Sequence, residues 1–296
     1  MPWENPLLPE IELVTDGRNT LGEGLVWDAD AQHLYWTDIE EKKLWMLEPA
    51  SGAVRSVDVP ERIGCFAPRE AGGLVVAFAS GFAFFDPETG TREDIAPFEP
   101  ELKNTRLNDG RADRQGGLIA GGFDEVEGKP ISSVVRLEHD LRITTLIRDV
   151  SCSNGTCFSP DGRTMYFADT PSKEIRAYDY APDGSLGPRR TIARFDDQPG
   201  MPDGSCVDAE GFVWNAQWNG RRLVRYAPDG RIDRIVPVPA LNPTCVAFGG
   251  AALDTLYITT ARYLMSADQV AAEPRSGALF AFKPGVRGLV DAKFAG

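Results

Sequence analysis

The sequence predicts an all-β chain folded as a six-bladed β-propeller, and three observations carry that expectation. A phrase made of a turn, a short apolar strand, a gap and a second strand ending in another turn recurs six times. Its copies begin near residues 28, 68, 113, 159, 208 and 249, so the interval stays between 40 and 49 residues. That is the period of a four-stranded propeller blade. No segment longer than a turn or two carries a helical period, whereas Gly117-Leu-Ile-Ala-Gly-Gly122 and Leu256-Tyr-Ile-Thr-Thr260 alternate as short, half-buried strands do.

The elements follow in order. Ahead of the first copy, Ile11-Glu-Leu-Val14 is expected to add a strand to the last blade, closing the ring and removing an exposed edge. Blade one reads Asp28-Ala-Asp-Ala-Gln-His-Leu-Tyr-Trp-Thr-Asp38, then Lys43-Leu-Trp-Met-Leu-Glu-Pro49. Weaker copies start near Pro68 and Asp113. The fourth runs Ser159-Pro-Asp-Gly-Arg-Thr-Met-Tyr-Phe-Ala-Asp169, then Glu174-Ile-Arg-Ala-Tyr-Asp179. The fifth runs Asp208-Ala-Glu-Gly-Phe-Val-Trp214, then Arg222 to Gly230, and a weak sixth starts near Gly249. A sandwich would not hold one phase over six units. Residues 1–296 are therefore expected to form a single domain, with its site at the top of the central channel.

Composition narrows the function classes. The chain has 44 acidic against 31 basic residues, a formal charge of −13, and no basic run. Such a chain repels nucleic acid and anionic membranes, so neither is expected as a partner, and no obligate protein partner is evident. No apolar run approaches the roughly 18 residues of a membrane span. Met1-Pro-Trp-Glu-Asn-Pro6 lacks a basic segment followed by an apolar stretch. The five cysteines are an odd number without a disulfide framework. These features lead to an expected cytoplasmic location, and they give little weight to the glycosylation pattern at Asn154-Gly-Thr156.

Residues in the same phase of the repeat should face the same channel. Just before each repeat start stand Glu23, Cys65, Asn108, Asn154, Asp203 and Thr244-Cys245, spaced by 41 to 49 residues. Three of these segments set an oxygen-bearing residue beside a glycine: Glu23-Gly24, Asn154-Gly155 and Asp203-Gly204. Two carboxylates and one amide form an oxygen donor set suited to a divalent cation, with open positions for water and substrate. Taken alone, each Asn-Gly or Asp-Gly pair reads as an ordinary turn, and Glu23 as a solvated charge. The shared phase is what favours a metal.

At these residues the chain resembles the senescence marker protein/gluconolactonase/regucalcin-like family of six-bladed lactonases over nearly its whole length. The carriers are Leu21-Gly-Glu-Gly-Leu-Val-Trp27, Arg106-Leu-Asn-Asp-Gly110, Ser153-Asn-Gly155, Phe158-Ser-Pro-Asp-Gly-Arg-Thr-Met-Tyr166, Pro202-Asp-Gly204 and Thr259-Thr-Ala-Arg262. The resemblance implies one divalent ion (Ca, Zn, Mn, Mg or Fe(II)) on Glu23, Asn154 and Asp203. It also implies substrate contacts from Arg106 and Asn108, and a general-base role for Asp203. The implied reaction is hydrolysis of a sugar lactone, an aldonolactone, to the aldonic acid, with the ion as Lewis acid and an activated water as nucleophile. Leu25, where the family carries proline, and Phe123, where methionine is common, are expected to alter the pocket wall.

Other chemistries fit less well. No Gly-x-Ser-x-Gly elbow is present. The two histidines, His33 and His139, are expected in blade turns. Asp28-Ala-Asp30 fails as a calcium loop, with His33 and Ile39 where glycine and glutamate are needed. Cys65, Cys152, Cys157, Cys206 and Cys245 read as small buried side chains near the channel. Trp214 and Trp218 read as core or pocket wall, and Trp218 is a candidate apolar face for a sugar ring. Arg106 is expected to make a two-pronged contact with substrate, the alternative being a surface salt bridge. Two further function classes stay open: a non-catalytic calcium-binding propeller, and a metal-dependent phosphotriesterase or esterase.

Overall fold

A computed structural model of the chain describes residues 10–296. Twenty-four strands form six four-stranded antiparallel sheets. After β1 (Glu12–Thr15), blade one comprises β2 to β5 (Gly22–Asp28, His33–Asp38, Lys43–Glu48, Ala53–Asp58) and blade two β6 to β9 (Ile63–Pro68, Leu74–Phe78, Gly81–Phe85, Arg92–Pro97). Blade three comprises β10 to β13 (Thr105–Ala112, Leu118–Asp124, Ser132–Leu137, Ile143–Val150), and blade four β14 to β17 (Ser153–Phe158, Thr164–Asp169, Glu174–Tyr180, Leu186–Arg194). Blade five comprises β18 to β21 (Met201–Val207, Val213–Trp218, Arg222–Tyr226, Ile232–Pro237). Blade six takes β22 (Asn242–Gly249), β23 (Thr255–Ala261) and β24 (Leu279–Phe282) and is completed by β1, which pairs with β24. The predicted six-bladed propeller and its closing strand are thus both present. The one α-helix among the described residues, Ala267–Ala272, is short and capped by Ser266 and Gln269. No described helix is long and apolar enough to cross a membrane.

In three of the six copies the first residue of the repeat phrase is an aspartate that locks a turn. Asp208 accepts from the Glu210 and Phe212 amides at 3.0 Å each, and from Trp214 Nε1 and Arg225 Nε at 2.9 Å. Asp113 does the same in blade three, with Gln115, Gly117, Arg136 and Tyr180 as donors. Asp28 takes the amides of Asp30 and Ala31 and so belongs to such a turn, as its failure as a calcium loop implied.

The apolar core is a ring. Each of six clusters fills one interface between neighbouring blades: Tyr35 and Met46 meet Phe66 and Phe78 between blades one and two, and Trp214 meets Phe248 and Phe280 between blades five and six. Strands buried on both faces therefore read as continuous apolar runs.

The inner strands share one irregularity. In β2, β10, β14, β18 and β22, three inner-strand steps face two on the neighbouring strand, and in β6 two face one. Every blade therefore carries one extra inner residue at the same end of the channel. Such a bulge bends the strand and re-aims its side chains. Two bulges use glycine in the left-handed region, Gly24 at φ +62° and Gly155 at φ +65°. A Cβ on Gly155 would stand 3.2 Å from the Asp203 carbonyl oxygen.

Gly155→Ala is therefore expected to cost about 2 kcal/mol or more, backbone strain plus crowding. Gly90→Ala, also at positive φ but with nothing within 4 Å, should cost only about 1 kcal/mol. Equal losses in urea unfolding would show that the bulge is not held by this close approach.

Candidate functional site

The bulges bring the predicted residues to one mouth. Glu23 and Asn154 are the last paired residues before the bulges of β2 and β14, while Asp203 and Asn108 lie one place further, inside those of β18 and β10. Glu23, Asn154 and Asp203 are 9%, 6% and 5% exposed. Burial, reinforced by the charge of Asp109, pushes Glu23 up to about 8, against the pull of the Gly24 amide and of Arg106. Asp203 is raised well above the carboxylate range by burial and then by the charges of Glu23 and Asp109. Glu23 and Asp203 thus lie near enough for the charge of Glu23 to act on Asp203, and their hydrogen bonds come from the backbone amides of Gly24 and Gly204.

Asn154 is oriented from behind. Its Nδ2 donates to Thr170 Oγ1 at 2.8 Å, and that hydroxyl donates to the Pro202 carbonyl at 2.9 Å, beside Asp203. The amide oxygen is left to accept a long 3.4 Å bond from Asn108 Nδ2. Asn108 is itself pinned, donating to the Ser153 carbonyl at 2.9 Å and accepting from Arg106 Nη1 at 2.6 Å.

Arg106 is a buried arginine, 4% exposed, and it does form a salt bridge, to the partly exposed Glu125. Its Nε donates to Glu125 at 2.8 Å, its Nη1 to Asn108 and to the Leu107 carbonyl, and its guanidinium lies 5.2 Å from the centre of the Phe123 ring. Glu125 is held in turn by two bonds of 2.7 Å from Arg62. With those nitrogens engaged, Nη2 is the one without a protein partner among the described residues, one free nitrogen where the expected two-pronged contact needs two.

The donor set fits a hard or borderline divalent cation, since two buried carboxylates repelling each other are relieved by positive charge between them. Among the described residues no group of three or more His, Cys, Asp and Glu side chains is set to hold a metal.

A family model described as the SMP-30/gluconolactonase/LRE-like region matches residues 21–262. The chain belongs to this family. It is 42% identical to an L-arabinolactonase of Azospirillum brasilense, over 96% of this chain and 95% of that one. It is 38% identical to a 6-deoxy-6-sulfogluconolactonase of Pseudomonas putida, over 94% and 96%. A solved structure titled a calcium-binding protein, regucalcin, from Agrobacterium tumefaciens superposes with a TM-score of 0.92 at 29% identity, covering 97% of each chain.

Several other expectations are corrected or sharpened by the geometry. Leu25 is fully buried among Trp27, Trp36 and Tyr257, so this departure from the family touches the core between blades rather than the pocket wall. Phe123 packs beside Arg106. Trp214 is core, while the half-buried Trp218 packs with Tyr263 against Leu21, Ile39 and Ala261 at the rim. His33 opens β3 instead of lying in a turn. Cys65, Cys157, Cys206 and Cys245 are buried, their thiols pushed up by burial, and Cys152 is partly exposed. The reading by residue missed Asp109, 8% exposed and bonded by the Thr156 amide at 2.9 Å, because Asn108 beside it drew the assignment. It also missed Thr170, Glu125 and Arg62, which lie outside the repeat phase.

The carboxylate pair has a consequence for pH. An unfolded glutamate titrates near 4.3, and folded Glu23 near 8. Between these values the folded metal-free chain keeps a proton that the unfolded chain has released, so stability falls as pH rises, by up to about 1.4 kcal/mol per unit for one proton. Chelated wild type should lose Tm from pH 5 to 8 relative to Glu23→Gln. A wild-type curve parallel to the variant's would refute the upward shift that burial, and then the charge of Asp109, imposes on Glu23.

Proposed function

We propose that the protein hydrolyses a sugar lactone to its aldonic acid, aided by one divalent ion (Ca, Zn, Mn, Mg or Fe(II)) held by Glu23, Asn154 and Asp203. The observation that carries this reading is the convergence of two mutually repelling buried carboxylates and an oriented amide oxygen beside Arg106 and Asn108. The likeness to an L-arabinolactonase supports the substrate class.

The bound ion would supply positive charge that polarises the lactone carbonyl and makes water more acidic. Asp203 takes the proton of the attacking water as general base. Arg106 presents Nη2 to a ring hydroxyl, its plane held by Glu125 and by Asn108. Asn108, locked by Ser153, offers a fixed polar edge to the sugar. The apolar arc of Trp218 and Tyr263 lies on the rim formed by blades five, six and one, away from the charged arc of Arg62, Glu125 and Arg106 on blades two and three. A ring with hydroxyls on one edge and carbons on the other matches that asymmetry.

Hydrolysis of a pentonolactone should be lost on chelation and restored by a divalent ion. At saturating ion, Asp203→Asn should lower kcat about 100-fold or more, and an unchanged kcat would leave Asp203 no base role. Calcium binding without turnover of any aldonolactone would favour a non-catalytic binding protein, the reading that the regucalcin likeness suggests.

Arg106→Ala leaves Glu125 paired with Arg62 and so should fold. Its kcat/KM should fall at least about tenfold more on a hydroxylated lactone than on unsubstituted butyrolactone, because only the former loses a hydrogen bond. Equal losses on both would mean that Arg106 acts on the ester or the fold and does not read the hydroxyls.

A further inference from the structure

Below the mouth, the channel axis carries a buried charge pair that the mechanism does not use. Arg111 lies on β10, near its lower end, with its side chain 12% exposed. Its Nη1 donates to Asp291 at 2.5 Å. Its Nη2 donates to the Leu25 carbonyl of blade one at 3.4 Å and to the Ser205 carbonyl of blade five at 3.5 Å. Leu25 follows Glu23 by two residues, and Ser205 follows Asp203 by two. One guanidinium on blade three thus joins the two strands that carry the carboxylates, within the bulge of β2 and at the lower end of that of β18.

Asp291 belongs to a segment, residues 286–296, that crosses the underside of the propeller. The Ala209 amide of blade five donates to the Arg287 carbonyl, and Gly288 donates to the Leu253 carbonyl of blade six. Phe294 exchanges backbone bonds with Pro68 and Glu70 of blade two, and Ala295 donates to the Gly116 carbonyl of blade three. The other Asp291 oxygen accepts the Trp27 amide of blade one at 3.2 Å. The segment is therefore anchored on five blades, and its carboxylate is fixed on the axis.

We propose that Arg111, clamped by Asp291, is a positioning residue that sets the separation of Glu23 and Asp203 from below, making residues 286–296 part of the ion-binding apparatus. This rests on the reading that those carboxylates hold a divalent ion. Charge alone gives the opposite expectation: a cation under the site repels a bound ion, so losing it would tighten binding. A clamp on geometry gives weaker binding when it is lost, and most for ions that demand strict coordination. Magnesium requires near-ideal octahedral geometry, whereas calcium tolerates irregular oxygen shells.

The test is the pair of substitutions Arg111→Met and Asp291→Asn in one chain. It removes both charges together and so avoids leaving either buried without its partner. Mg²⁺ and Ca²⁺ dissociation constants are measured by titration calorimetry, alongside the Tm of the ion-free protein. The expected result is at least a fivefold weaker Mg²⁺ affinity, a clearly smaller loss for Ca²⁺, and an ion-free Tm close to wild type. Arg111→Lys, which keeps the charge but cannot span both carbonyls, should share the Mg²⁺ defect. Unchanged affinities in the double variant, tighter binding, or full Mg²⁺ affinity with lysine would overturn the inference while leaving the ion site standing. A wild type that binds neither ion would overturn the ion site itself.

Discussion

The ring of six bulges is the constraint on which the rest of this molecule depends. Strict alternation along an inner strand sends every second side chain into the layer between blades. One extra residue near the mouth breaks that alternation once per blade. Below the break, Val26, Cys157 and Val246 resume the pattern of the core. At the break itself, Glu23, Asn108, Asn154 and Asp203 turn toward the axis. The same short segment thus serves packing at one end and polar chemistry at the other. The glycines at 24 and 155 make the turn without a Cβ against the adjacent blade.

Electrostatics then make the mouth unstable by itself. Glu23, Asp109 and Asp203 are buried within mutual influence, and each is pushed upward chiefly by desolvation. Burying charge without compensation costs several kcal/mol, so the pair holds a proton or accepts a cation. Arg111 supplies one fixed positive charge at the floor, drawn off in part by Asp291. On the proposed reading, a cation at the mouth would relieve the carboxylates from above while Arg111 and Asp291 hold the strands below.

The charged arc on blades two and three has a different logic. Arg62, Glu125, Arg106 and Asn108 form one chain of hydrogen bonds from the rim to the axis. Each planar group fixes the next, so Nη2 of Arg106, the nitrogen without a protein partner among the described residues, is held in one orientation. Lysine at position 106 would keep the charge and lose that fixed plane.

The period of the repeat, readable in phrases such as Asp28 to Asp38 and Ser159 to Asp169, determined the propeller and its blade count, because each copy must bury its faces against the next. The same phase placed Glu23, Asn154 and Asp203 around one opening, since equivalent positions in a closed ring share an axis. What the tertiary structure alone decided lies off that phase. Thr170 reaches Asn154 from a connecting turn, Glu125 reaches Arg106 from the end of the neighbouring strand, and Asp291 meets Arg111 across 180 residues of chain. A repeat reports what every blade has in common. Single contacts made by one blade, or by a segment that crosses beneath five, leave no period to be read, because their partners are set by closure of the ring rather than by local pattern.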